Sequence, residues 1–155
     1  MNKNRQRGKR LDGCGWIYGS LLQNEDMSVI VVEFEESAYC GIGDCPYTHG
    51  VIGFEVDPET VGQYTGLKDK NGKKIYEGDI VELTNTYKGM NTKSIVEIDF
   101  IDFTFAGKWA EEYSPSGYMY NPLGSYNFPI VTIEVIGNIH DNPELIHDQK
   151  AEVEK

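Results

Sequence analysis

The 155-residue chain carries 14 Lys and Arg against 25 Asp and Glu, a net charge of −11, and its length suits one domain with a buried core and no covalent staples. Five cations (Lys3, Arg5, Arg7, Lys9, Arg10) fall in residues 1–10, which hold no acid, whereas Leu11 to Leu67 holds ten acids and no Lys or Arg. Such an acidic body repels nucleic-acid phosphates, and no apolar run is long enough for a membrane span or placed as in a secretory signal, so a cytoplasmic location is expected.

Residues 1–10 read as a flexible basic arm, and 150–155 as a charged tail, with a single domain over 11–149. A first strand is expected at Trp16 to Leu22. A second follows at Ser28 to Phe34, apolar at nearly every position and so expected to be covered on both faces. Ser37 to Gly50 reads as a loop and Val51 to Val56 as a strand. Asp57-Pro58-Glu59 is an Asp cap with Pro at the first helical position, good for one turn before Gly62.

Asn71-Gly72 then joins Leu67–Lys70 to Lys73–Tyr76, and the pair predicts a type I′ hairpin with positive φ at both central residues. Glu77-Gly78-Asp79 is a second reversal, and Ile80–Leu83 begins another strand, giving a tight meander. In Ser94 to Phe105 the apolar alternation changes phase midway: Val96, Ile98 and Phe100, then Ile101, Phe103 and Phe105. A β-bulge near Phe100–Ile101 is the expected repair. Ala106 to Phe128 is aromatic and glycine-rich, with one more strand expected at Gly117 to Tyr120. Ile130 to Ile139 is a strand, and Asn142-Pro143-Glu144 repeats the cap-then-Pro start of a short helix. The fold class is therefore mainly β: a small antiparallel β-barrel of SH3-like scale with one or two short helices.

The hairpin segment GLKDKNGKKIYEGDIV, preceded by Val61 to Thr65, resembles the signature of the YopX family. Glu134 to Leu145 is similar to that family's C-terminal end, and Arg7 to Gly19 resembles the opening of its phage members. The three blocks cover about half the chain, in the family's order. The resemblance implies a protein encoded by bacteriophages or prophages and assembly from several chains. It supplies no catalytic residues.

Several chemistries can be weighed from the residues. Cys40, Cys45 and His49 stand as Cys-x4-Cys-x3-His, and Cys14 could complete a tetrahedral Cys3His zinc site, although the fourth ligand is remote and no CxxC occurs. An ordinary loop is the plainer reading, and three cysteines do not make a disulfide framework. A Cys–His nucleophile would need nearby positive charge, which this region lacks. Gly66 and Gly72 are too far apart for a phosphate loop, and Lys74 stands where Ser or Thr should bind magnesium. Asp79, Glu82, Asp99 and Asp102 are expected mostly on outward faces, with His140 and His147 in surface or capping roles.

The aromatic segment offers a partner-binding surface: Trp109, Tyr113, Tyr118, Tyr120, Tyr126 and Phe128, set among Ser, Gly and Asn. Its alternative role is to cap the core of its own subunit. No catalytic, metal or cofactor site is assigned. The reading is a non-enzymatic interaction protein acting as a homo-oligomer in the host cytoplasm, with a host protein as a second candidate partner. The alternatives are a zinc-stabilised or thiol-dependent protein using Cys14, Cys40, Cys45 and His49, or nucleic-acid contact through the basic arm.

Overall fold

The computed structural model describes residues 5–36, 48–86, 89, 91–109, 120–126 and 131–146, with backbone alone at 34–36 and 48–49. Eleven strands are described: β1 (Gln6–Lys9), β2 (Trp16–Gln23), β3 (Ser28–Glu36), β4 (Thr48–Val56), β5 (Gly62–Lys68), β6 (Lys74–Tyr76), β7 (Asp79–Asn85), β8 (Thr92–Ile101), β9 (Thr104–Lys108), β10 (Tyr120–Pro122) and β11 (Val131–Asn138). All pairings are antiparallel and form two sheets. The helical elements described in full are the 3-10 turns Pro58–Thr60, Leu123–Ser125 and Pro143–Ile146. The mainly β expectation holds, whereas no closed barrel is found among these residues. The chain divides into two compact units, Met1–Gln63 and Tyr64–Lys155.

In the first unit the strands lie in the order β4-β3-β2-β1, with the first residues of β5 beside β1. The expected flexible arm is thus a strand over Gln6–Lys9, paired with β2 and β5. Two cations here lie over aromatic rings. The Arg7 guanidinium lies 4.6 Å from the Trp16 ring centroid and the Arg10 guanidinium 4.1 Å from that of Phe54. Arg10 is also ion-paired to Asp12. Gly8 and Gly19 let strands approach closely: a Cβ on Gly8 would stand 2.9 Å from Val56, and one on Gly19 would collide with the Val31 carbonyl. An isolated antiparallel bridge, Arg10↔Val56, ties the residue after β1 to the last residue of β4. Ile30 and Val56 are the fully buried apolar residues here. The second face of β3 is only half-buried, so the expectation of two covered faces fails.

The second unit takes the rest of β5, paired with β6, and a five-stranded sheet β10-β9-β8-β7-β11. Its core joins Ile75, Val81, Leu83, Val96, Ile98, Trp109, Leu123, Val131 and Ile133. Each fully buried Ile or Val here adds about 1.5–3 kcal/mol over an exposed one. The Glu77–Asp79 reversal does occur, but it passes the chain from β6 in one sheet to β7 in the other, so there is no β6–β7 meander. Asp79 is buried, not outward, and its carboxylate accepts from Tyr76 N–H at 2.8 Å.

The Asn71-Gly72 turn differs from expectation. Gly72 takes positive φ (81°), but among the described non-glycine residues positive φ occurs at Asp102 and Phe103, so Asn71 is not in a type I′ position. The organiser is Asp69. One carboxylate oxygen accepts from Asn71 N–H (2.8 Å) and Lys73 N–H (2.9 Å), and the other from Val135 N–H on β11 (3.2 Å). The phase change at Phe100–Ile101 is likewise not a bulge. The two apolar phases belong to two strands, β8 and β9, paired from Glu97↔Lys108 to Ile101↔Thr104 around a two-residue turn, Asp102-Phe103. Of the strand expected at Gly117–Tyr120, Tyr120 opens β10 and 117–119 lie outside the described residues.

Candidate functional site

Two apolar features of the described surface are left uncovered. The first is the outward face of β2–β4. Register places Leu22, Val29 and Glu55 in one row across the three strands and Ser20, Val31 and Gly53 in the next. Tyr18 and Val51 stand one further alternation along on the same face. Val51 is 68% exposed, Leu22 62% and Tyr18 38%. β-branched residues form these strands readily, but here they face water as well as the core, and two exposed acids stand among them: Glu33 beside Val51 and Glu55 in the row of Leu22 and Val29.

The second is the β8–β9 hairpin tip. Asp102 and Phe103 take φ of 48° and 64°, and the Phe103 ring is 96% exposed. A left-handed backbone is uncommon for any non-glycine residue and is an outlier for a bulky one. Phe100 is also half exposed, with its ring edge-on to Phe105 at 5.0 Å. The Tyr120 hydroxyl donates to the Asp102 carboxylate, and that bond raises the Tyr120 pKa. Asp99, beside the tip, pairs with Lys108 at 3.7 Å.

By contrast, β7, β8 and β11 carry a charged row. Glu134 and Glu82 lie directly opposite each other on β11 and β7, an unfavourable pairing by itself. Lys70 flanks Glu134 at 2.6 Å and Lys93 flanks Glu82 at 3.1 Å, so a cation stands at each end of the row and offsets the two adjacent acids. The hydrogen bond from Lys70 holds the Glu134 pKa below its ordinary value. Glu97, more buried on β8, is pushed the other way by desolvation.

The six aromatic residues expected to bind a partner have different placements. Trp109 is buried in the second unit's core, and Tyr126 packs against that core. Burial pushes the Tyr126 hydroxyl up to about 12. Tyr120 lies beside the hairpin tip, and Tyr113, Tyr118 and Phe128 lie outside the described residues. Of the zinc set, Cys14 is exposed, in the turn between β1 and β2, its N–H donating to Asp12. Cys40, Cys45 and the His49 side chain are outside the described residues. Among the described residues, no three His, Cys, Asp or Glu side chains gather as metal ligands, and no helix is long and apolar enough to cross a membrane. Sequence reasoning missed Phe103 as a surface residue. The signal was the change of phase itself, which marks a turn as readily as a bulge.

A family model described as YopX protein matches residues 15–147. No curated protein matches. Among solved structures, the chain is similar to protein yopX from Bacillus subtilis, at 23% identity and a TM-score of 0.51, covering 94% of this chain and 98% of that one. Protein EF1440 from Enterococcus faecalis matches at 25% identity and a TM-score of 0.49, covering 92% and 96%.

Proposed function

The chain belongs to the YopX protein family, and from that premise we propose that it is a non-enzymatic interaction protein of a phage or prophage that works in the host cytoplasm as an assembly of identical chains. The observation that carries this reading is the outward face of β2–β4, where Tyr18, Leu22 and Val51 are exposed together. Burying such a face against another protein gains roughly 25 cal/mol per Å² of apolar surface before the cost of association. The likeness of Arg7–Gly19 to the opening of phage members supports the origin. Within the aromatic segment, Tyr120 is the described residue placed to join a contact, since Trp109 and Tyr126 pack into their own core.

Light scattering of the whole chain over a dilution series tests the assembly. A mass of two or more chains that falls on dilution is expected. A single-chain mass at every concentration would remove the self-association.

A further inference from the structure

We propose that Asn71 is a site of spontaneous covalent modification, held in check by the turn that contains it. When the turn opens, cyclisation onto Gly72 converts Asn71 to aspartate and isoaspartate, and the product loosens the turn from β11.

The chemistry needs an amide side chain followed by an unhindered backbone nitrogen. Asn71-Gly72 is the chain's one Asn-Gly pair, and both residues are exposed. Beyond its chain neighbours, nothing stands within 4 Å of where a Gly72 Cβ would be, so the Gly72 nitrogen is open to the Asn71 side chain and to water. That nitrogen gives up its proton to solvent and attacks the Asn71 Cγ. An N–Cγ bond forms and the Cγ–Nδ2 bond breaks. The departing nitrogen takes a proton from water and leaves as ammonia. Water then opens the cyclic imide at either carbonyl, giving aspartate by one route and isoaspartate by the other. Solvent water is the only co-reactant.

The intact turn opposes each step. The Gly72 N–H donates to the Asp69 carbonyl at 2.9 Å, so the proton that must be lost is bound inside the turn. Asn71 Nδ2 donates to Glu134 Oε1 at 3.2 Å, which ties the side chain to β11 and keeps it from folding back over Gly72. The Asn71 N–H is held by Asp69 Oδ1 at 2.8 Å. These bonds yield only on local opening, so the folded chain reacts in proportion to its open population. The product does not rebuild them. Aspartate at 71 lacks the Nδ2 donor and sets a negative charge against Glu134. Isoaspartate also lengthens the main chain between the two N–H groups, of residues 71 and 73, that converge on Asp69 Oδ1. The other oxygen of Asp69 holds Val135, so the loss reaches β11.

The experiment keeps the full chain in mildly alkaline buffer, folded and in urea, and follows Asn71 by peptide mass and isoaspartate content. The folded chain is expected to convert about tenfold or more slowly than the denatured one, the factor that two net hydrogen bonds supply. Glu134→Ala removes one of those bonds. Below its melting transition it is expected to convert about fivefold faster than folded wild type. The modified fraction of wild type, separated by its added charge, is expected to melt a few degrees below the parent. Equal rates in folded and denatured wild type, aspartate without isoaspartate, or a folded Glu134→Ala no faster than wild type would overturn the restrained site. A modified fraction that melts with the parent would overturn the loosening of β11.

Discussion

At Asp69–Lys73 the chain reverses around a carboxylate that is only 7% exposed, whereas at Asp102-Phe103 it reverses on two residues at positive φ with a ring in water. In the first turn the left-handed position is filled by Gly72, and three backbone N–H groups converge on Asp69. In the second, the residue that a two-residue turn would favour is absent, and the turn is held by the β8–β9 ladder and by Tyr120 on Asp102. The first turn serves the fold, since it also reaches β11 through Val135 and through the bond from Lys70 N–H to the Ile133 carbonyl. In the second, Asp102 holds Tyr120, whereas the Phe103 side chain, in water, adds nothing to the fold that glycine would not add.

Replacing Asp69 by Ala would break this contrast most severely. It leaves three backbone N–H groups without their acceptor, and a loss of about 3 kcal/mol or more is expected in denaturant unfolding. Acid comes next. Burial by itself raises the Asp69 pKa, but the hydrogen bonds from Lys73, Val135 and Asn71 and the charge of Lys73 outweigh it and hold the pKa below its ordinary value. A carboxylate lowered in the folded state contributes stability that is present above the unfolded value, near 3.9, and is lost as pH falls through the folded one. The stability gap between wild type and Asp69→Ala is therefore expected to narrow below about pH 4. The smallest effect has the opposite sign. Phe103→Gly relieves the left-handed strain and is expected to stabilise by about 1 kcal/mol, or roughly 3 °C in Tm. A fall in Tm would show that the ring packs within its own chain.

The strands with β-branched runs were legible in the sequence. β3, β7 and β11 stand where Ser28–Phe34, Ile80–Leu83 and Ile130–Ile139 place them, because their residues fit a pleated surface whichever sheet takes them. Turns were harder. Asp-Phe is no turn dipeptide, so the phase change in Ser94–Phe105 looked like a bulge, and only the ladder between Ile101 and Thr104 shows it to be a hairpin. Asp69 drew no notice because its role depends on Val135, remote in sequence. β1 was missed for a related reason. Arg7 and Arg10 look like solvated charges until Trp16 and Phe54 are brought beneath them. The interaction surface was sought in Trp109–Phe128, where composition favours binding, yet Trp109 is among the core residues.

The position of β1 within its sheet has a consequence for biosynthesis. β2 can pair with it soon after it is made, but its other neighbour, at Gly62 and Gln63, arrives only after β3 and β4 have been made. Until then one edge of a short, cation-bearing strand stays open, so completion of the first sheet waits on a late, long-range closure.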